Sequence, residues 1–163
     1  MEKDALINLT ATEEALAAYA ADVRELYRDN LIKSDRLATE GLLNSVETQI
    51  ERDGQAYLVT MTLADYWKFV EWDTKPHCPP VQSLLRWIRV KPVLPRSGGG
   101  VPRPEQLAYL IGRKIAREGT KGSHDLALAS TETNRRFRDA INEALAQDAQ
   151  QFVTVWIHQY MHI

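Results

Sequence analysis

A run of seventeen residues, ADYWKFVEWDTKPHCPP at positions 64–80, holds two tryptophans, three carboxylates, a histidine and the only cysteine of the chain. Asp73, His77 and Cys78 carry a carboxylate, an imidazole and a thiol, which are common ligands of divalent metal ions. A closed metal site needs a further ligand at a suitable spacing, and none follows. Cys78 as a nucleophile would need a base that the fold places beside it, which the sequence does not reveal. A small hydrolase or metalloenzyme built on these residues is therefore the weaker interpretation.

Two other groupings have the residue types of a reactive site without its arrangement. His158 and His162 are four residues apart and would share one face of a helix, but no third ligand accompanies them. Ser123, His124 and Asp125 are the residue types of a catalytic triad, yet adjacent side chains on a loop point apart and cannot line up as nucleophile, base and orienting group. The sequence therefore predicts no catalytic residues, no metal site and no cofactor.

The charges are unevenly distributed along the chain. Residues 75–121 contain ten Lys or Arg and two acidic residues, whereas residues 1–74 contain seven basic and fifteen acidic ones, within a formal net charge of −2. A positive segment suits contact with a polyanion or with an acidic protein surface. No helix-turn-helix or RNA-binding motif accompanies it, so sequence-specific readout is not expected. The candidate basic face comprises Arg86, Arg89, Lys91, Arg96, Arg103, Arg113, Lys114 and Arg117.

Residues 43–63 are predicted to form a β-hairpin. Apolar and polar residues alternate in two runs, 43–51 and 55–63, so that each strand has one buried face. Asp53 and Gly54 lie between the runs, and both central residues of a type I′ turn need positive φ, for which Asp-Gly is a favoured pair. The inward-facing residues are predicted to be Val46, Thr48, Ile50, Tyr57, Val59, Met61 and Leu63.

Helical spacing predicts helices on both sides of the hairpin. The first spans residues 11–30, and the last runs from about residue 131 to the end, although its β-branched segment at 152–157 also fits a strand. Three shorter helices are expected between them. Their buried residues are predicted to be Tyr66, Phe69 and Val70 in a helix over 65–72, with a cap formed by Thr62 and Asp65; Val81, Leu84, Leu85 and Ile88 over 80–90; and Leu107, Leu110, Ile111 and Ile115 over 104–118.

These elements predict an α+β fold, in which a small antiparallel sheet packs against several helices with long ones at both termini. At 163 residues the chain has the size of one domain, and we expect residues 1–163 to form one, with the Pro/Gly-rich residues 92–104 as an exposed loop. No apolar run approaches the roughly 18 residues of a membrane span. A sheet of only two strands is marginally stable in water, so we expect the sheet to be extended by further strands or by a neighbouring chain.

The order of these motifs resembles that of the tail-completion or head–tail joining proteins of tailed bacteriophages. That family begins its first strand with a Thr-Gly-x-Leu-x-x-Ser-like sequence and follows its second with a Tyr-x-x-Phe/Tyr-Val-Glu-x-Gly-like sequence. The residues similar to the first are Thr39, Gly41, Leu42 and Ser45, with Glu40 inserted. Those similar to the second are Tyr66, Phe69, Val70 and Glu71, with Asp73 where glycine is usual. The likeness covers about residues 10–150.

The resemblance implies a noncatalytic virion protein, assembled in the cytoplasm of the bacterial host, whose copies form a homo-oligomeric ring in the neck or upper tail around the DNA channel. Its partners would be further copies and the portal, connector or tail-tube proteins, with no membrane. Exposed Trp and Arg are favoured anchors of protein interfaces. The candidate subunit interface is Trp67, Glu71, Trp72, Asp73, His77 and Trp87, and the basic face would meet DNA or an acidic neighbour. The alternative is a nonspecific nucleic-acid-binding accessory protein.

Overall fold

A computed structural model of the chain describes residues 9–34, 40–54, 56–91 and 102–160. Within them the chain forms α1 (Thr10–Lys33), α2 (Gly41–Asn44), β1 (Glu47–Asp53), β2 (Ala56–Thr62), α3 (Trp67–Glu71), α4 (Val81–Val90), α5 (Pro104–Glu118) and α6 (Asp125–Tyr160). The predicted α+β class is confirmed, with a small antiparallel sheet and a long helix towards each end. In the same described residues, no helix is both long and apolar enough to cross a bilayer.

The contacts of the chain form two compact units, each built from separate stretches of sequence. Unit 1 comprises Met1–Asn30, Val46–Leu63 and Leu126–Ile163, and unit 2 comprises Leu31–Ser45 and Ala64–Asp125. The single domain expected for residues 1–163 stays a prediction. Residues 92–101 of the expected loop lie outside the described residues.

The hairpin follows the predicted alternation. β1 and β2 pair antiparallel from Glu47 opposite Thr62 to Asp53 opposite Ala56. Because Asp53 is paired with Ala56, the turn begins at Gly54, one position later than predicted, and Gly54 supplies the positive φ of 59°. The inward-facing residues predicted from the sequence are buried or half-buried, although Thr60 on the other face of β2 is half-buried too. The cross-strand pairs that share the inward face are Thr48 with Met61, Ile50 with Val59 and Arg52 with Tyr57.

The start of the predicted first strand is wrong. Leu43 and Asn44 belong to the short helix α2, and β1 begins only at Glu47. Ser45 closes α2, because its backbone N–H and its hydroxyl both donate to the carbonyl oxygen of Leu42, at 3.1 and 2.8 Å. The Ser45 hydroxyl oxygen also accepts from the N–H of Ala64 at 2.9 Å. A local side-chain hydrogen bond therefore competes successfully with the strand pattern.

In unit 1, polar contacts join α1 and α6 as antiparallel neighbours. The first turn of α1 meets Asp148 near the other end of α6, since the N–H groups of Ala11 and Thr12 donate to its two carboxylate oxygens at 3.1 and 2.7 Å. Further along α1, Asp22 accepts from the hydroxyl of Thr133 at 2.8 Å and from Arg136 at 3.2 Å. The start of α1 thus contacts the later part of α6, and the middle of α1 contacts the earlier part of α6, as in two antiparallel helices.

α6 is longer than predicted and wholly helical over residues 152–157, so the strand alternative for that segment is wrong. The helix begins at Asp125, about six residues before the predicted start; Asp125 is buried, and one of its carboxylate oxygens accepts from the hydroxyl of Ser34 at 2.8 Å. Buried positions along α6 end with Asp148. Every described side chain from Ala149 onward is exposed.

In unit 2, α4 and α5 pack against each other through Leu84, Ile88 and Ala108. Two of the residues predicted to be buried, Val81 and Leu110, are exposed, while Ala108 was not predicted. With about 100° of rotation per residue, Leu110 lies roughly 200° around α5 from Ala108 and so cannot share its face. Partly buried residues surround this core: Leu85, Trp87, Leu107, Ile111 and Ile115.

Candidate functional site

The predicted interface is centred on α3, whose faces are reversed relative to the prediction. Tyr66 and Phe69 were expected to pack inward but are 43% and 71% exposed, whereas Glu71, expected at a subunit interface, is 2% exposed. Val70 is half-buried, as expected. The helix is also shorter than predicted and follows Tyr66 without a side-chain cap, so the cap expected from Thr62 and Asp65 is wrong. Glu71 is therefore removed from the candidate interface, and Phe69 joins it.

The reversal has a physical cause, which is the backbone segment that follows α5. The N–H groups of Ser123 and His124 donate to the carbonyl oxygens of Val70 and Glu71, at 2.9 and 3.1 Å. Gly122 lies so close that a Cβ at this position would be 2.2 Å from the Glu71 carbonyl oxygen. The segment thus covers the end of α3 that carries Val70 and Glu71 and leaves Phe69 in solvent.

The same segment fixes the residues after α3. Thr74 donates its backbone N–H to the carbonyl oxygen of Thr120 at 2.8 Å, and its hydroxyl oxygen accepts from the Thr120 N–H at 3.0 Å. Asp73 accepts from the N–H of Gly122 at 2.8 Å. Gly119 has a φ of 73°, and a Cβ there would lie 1.9 Å from the Thr74 carbonyl oxygen. The chain at 72–74 is therefore held before any partner arrives, which lowers the entropy lost on docking.

Trp67 is the first residue of α3, Trp72 follows its last residue, and the two side chains contact each other. Their ring centroids are 5.1 Å apart with 51° between the ring planes. Trp72 is 49% exposed and Trp67 is half-buried, so one ring supports the other at the surface. His77 is exposed, and its Nδ1 lies 2.8 Å from the carbonyl oxygen of Lys75. A paired, exposed tryptophan is a rigid apolar contact of the kind that dominates protein interfaces.

Beside α3 lies a cavity of about 660 Å³, which we call the unit 2 groove. Three lysines line it, Lys91, Lys114 and Lys121, together with one acidic residue, Glu118. A hydrogen bond from Arg117 and the charges of Arg117 and Lys114 hold the pKa of Glu118 below its usual range. Its apolar lining residues are Phe69, Val70, Leu84, Trp87, Ile111 and Ile115. An apolar cleft with a few charged groups around it is the kind of surface feature at which proteins bind ligands.

The groove was not predicted from the sequence, because its walls come from α3, α4, α5 and the segment after α5. Of the candidate interface residues, Trp87 lines it, and of the candidate basic residues, Lys91 and Lys114 do. The sequence feature that could have indicated an apolar surface here is Phe69, because the predicted helix is too short to bury apolar residues on both of its sides.

Within the part of the chain that the structure describes, the candidate basic residues lie on more than one surface, with Lys91 and Lys114 at the groove. On α4, Arg86 lies about 160–200° around the helix from the buried Leu84 and Ile88. On α5, Arg113 and Arg117 lie roughly opposite the residues that contact α4. Since α4 and α5 pack through those buried sides, the arginines of α4 and those of α5 lie on opposite sides of the two helices. Arg89 and Arg103 are also exposed, and Arg96 lies outside the described residues.

The end of α6 in unit 1 is a second exposed apolar surface. We call residues Ala149–Tyr160 the α6 end; the run contains no Asp, Glu, Lys or Arg. Trp156 is 49% exposed. The other large apolar residues exposed there are Phe152, Val153, Val155 and Ile157. Isolated exposed apolar residues are ordinary, but a contiguous patch marks an interaction surface.

Across the residues that the structure describes, no three His, Cys, Asp or Glu side chains are grouped so that they could hold a metal ion. An oxygen of Asp73 lies 3.9 Å from Nε2 of His124, and both side chains are largely exposed. Cys78 is exposed. No protein-family model, curated protein or solved structure matches the chain.

Proposed function

We propose that the chain is a structural virion protein of a tailed bacteriophage, whose copies form a ring in the neck or upper tail that joins head to tail and surrounds the DNA channel. The sequence resemblance at residues 39–45 and 66–73 suggests this family. The observation that carries the proposal is the preformed, exposed aromatic surface of unit 2, with Phe69 at 71% and Trp72 at 49% exposure. Its other members are Trp67, Tyr66 and the lining of the unit 2 groove.

This surface has the properties of a contact with another protein. Interfaces depend on a few large side chains, among which Trp is enriched. Holding them in place beforehand increases affinity, because less conformational entropy is lost on binding. In unit 2 the hydrogen bonds of Thr74 and Asp73 to the segment after α5 provide this order, and the contact between Trp67 and Trp72 restricts both rings.

The distribution of basic residues favours a ring over an accessory protein that binds nucleic acid nonspecifically. Such a protein needs a continuous positive track for the phosphate backbone. Among the described residues of one copy, Arg86 on one side and Arg113 with Arg117 on the other do not belong to one such track. In a ring, one set can face the DNA channel while the other meets an acidic surface of a neighbour.

The test is genetic and uses the phage or prophage that encodes the chain. Purified virions should contain the protein by mass spectrometry, and deletion of its gene should leave DNA-filled heads and separate tails in electron micrographs. Complementation with Trp72→Asp should fail to restore joined particles. The control Leu58→Asp changes a comparably exposed apolar residue on β2 and should restore them. Joined, infectious particles from the deletion strain would refute the proposed function.

A further inference from the structure

We propose that two copies of the chain associate through the outer edges of their β2 strands, which pair antiparallel about a two-fold axis and join the two hairpins into one sheet. This inference goes beyond the proposed function, because it concerns the free protein and neither needs the ring nor is needed by it. The register of the hairpin and the distribution of charge between its two strands carry the inference.

The register determines which backbone groups of β2 point away from β1. Asp53 and Ala56 are the last pair before the turn, so they exchange both of their hydrogen bonds. Bonded and non-bonded pairs alternate along an antiparallel ladder, so Tyr57, Val59 and Met61 fall in non-bonded pairs. The N–H and C=O groups of these three residues therefore line the outer edge of β2.

This edge of β2 is open within the part of the chain that the structure describes. Among the described residues the sheet consists of β1 and β2 alone, and the backbone hydrogen bonds formed outside the helices and strands do not involve β2. A row of unpaired N–H and C=O groups is a template on which another strand can pair. Because a two-stranded sheet is only marginally stable in water, an added strand also stabilises the hairpin itself.

The charges of the hairpin select which edge pairs. β2 contains no Asp, Glu, Lys, Arg or Pro, the residues that usually keep an edge strand from pairing, whereas Glu47, Glu51 and Asp53 are exposed on one face of β1. Two β1 strands paired through their outward groups would place Glu47 opposite Asp53 of the other copy, which is unfavourable. β1 paired with β2 would place the Glu51 carboxylate beside Leu58 of the other copy and remove it from water. Two β2 strands bring no charges together.

A two-fold axis at Val59 gives all three outward-pointing residues of β2 a partner. Val59 then lies opposite Val59 of the other copy, and Tyr57 lies opposite Met61, with two hydrogen bonds in each pair. A shift of either strand leaves at least one of the three without a partner from the same set. The side chains of all three are half-buried on the inward face of the hairpin, so the joined sheet has one continuous inward face. Aromatic and β-branched cross-strand neighbours stabilise such pairs.

Proline substitutions on the two edges test the pairing in the full-length protein. Val59→Pro removes an outward N–H from β2, and Ile50→Pro removes one from its cross-strand partner on β1. Neither N–H belongs to the ladder, so both variants should stay folded in far-UV circular dichroism. In sedimentation equilibrium, Val59→Pro should dimerise at least about tenfold more weakly than the wild type, because both copies lose a central hydrogen bond. Ile50→Pro should dimerise like the wild type.

Amide hydrogen exchange, followed by NMR, tests the wild type without any substitution and so decides the question even if a proline variant unfolds. The amides of Tyr57, Val59 and Met61 should exchange slowly at high protein concentration and rapidly after dilution, because their acceptors belong to the other copy. The amides of Thr48 and Ile50 on the outer edge of β1 should exchange rapidly at both concentrations.

Other results overturn the β2 pairing. Wild-type protein that stays monomeric up to about 1 mM, a concentration at which even weak contacts of a few kcal/mol are populated, has no such dimer. If Ile50→Pro weakens association as much as Val59→Pro does, β1 of one copy pairs with β2 of the other. If the concentration-dependent protection lies outside β2, the copies meet through another surface. None of these results bears on the virion composition or the deletion phenotype, so the proposed function fails or stands separately.

Discussion

The carboxylate of Asp148 is expected to stabilise unit 1 by capping α1 from a neighbouring helix. The first four N–H groups of a helix have no partner within it. Two of these, on Ala11 and Thr12, donate to Asp148, which is 1% exposed. Burial disfavours the ionised form of Asp148, but the hydrogen bonds from Thr12 and Ala11 outweigh it and hold the pKa below the ordinary 3.8.

Asp148→Ala should lower the free energy of unfolding by about 3 kcal/mol. A hydrogen bond to a charged group contributes about 1.5–3 kcal/mol net, and losing a helix cap alone costs about 0.5–2 kcal/mol. Asp148→Asn should cost about 2 kcal/mol, because the amide keeps one acceptor oxygen but turns an NH₂ group towards the second N–H donor. Urea denaturation at pH 7, followed by far-UV circular dichroism, measures both changes.

The control lies on the same helix. Asp139 is 87% exposed and pairs with its neighbour Arg138. Asp139→Ala should change the free energy of unfolding by less than about 0.5 kcal/mol, as exposed ion pairs contribute little. If Asp148→Ala were no more destabilising than Asp139→Ala, the assignment of Asp148 as a cap would be wrong.

The pH dependence provides a second check with a fixed sign. A carboxyl group with a pKa lower in the folded than in the unfolded state stabilises the fold fully above its unfolded pKa of 3.8. That contribution is lost as the pH falls through the lower folded pKa. The difference in stability between the wild type and Asp148→Asn should therefore be constant from pH 7 to just above 4 and shrink below that. A difference that instead grew on acidification would contradict the hydrogen-bonding argument.

Three further predictions concern backbone strain and a surface ion network. Gly119→Ala should lower the free energy of unfolding by at least about 3 kcal/mol, because φ is positive there and a Cβ would lie 1.9 Å from a carbonyl oxygen. Gly54→Ala, at a similar φ but with open space around it, should lower it by only about 1 kcal/mol. Urea denaturation measures both changes. His124 has a φ of 57°, so His124→Gly should raise the melting temperature slightly, and an unchanged or lower value would argue against strain there. In an NMR titration the Glu132 carboxyl should have a pKa of about 2, through hydrogen bonds from Arg135 and Arg136, and Arg135→Ala should raise it towards 4.5.

The hairpin was predictable because its signals are local. Alternation sets which face of each strand is buried, and Gly54 supplies the positive φ that the turn requires. The turn nevertheless lies one residue later than predicted, since Asp53 gains a partner in Ala56 by extending the ladder. The first strand was predicted too early for a similarly local reason, the hydrogen bonds by which Ser45 ends α2.

The reversed faces of α3 were not predictable from spacing. A helix of five residues has barely more than one turn, so its apolar residues do not define a buried side on their own. The buried side of α3 is set by the backbone of residues 122–124, about fifty residues later in the chain. The N–H groups of Ser123 and His124 donate hydrogen bonds to the carbonyl oxygens of Val70 and Glu71. The glycine in that segment is needed for the close approach. The candidate site therefore retained its tryptophans but lost Glu71 and gained Phe69 and the groove.

The α6 end shows what hydrophobic spacing can and cannot establish. Apolar residues at intervals of three and four favoured a helix towards the end of the chain but left a strand open over residues 152–157, which are helical in the structure. The same spacing continues past Asp148, where the described side chains are exposed. Spacing reports that a helix has an apolar face, and it carries no information on whether the partner of that face belongs to the same chain.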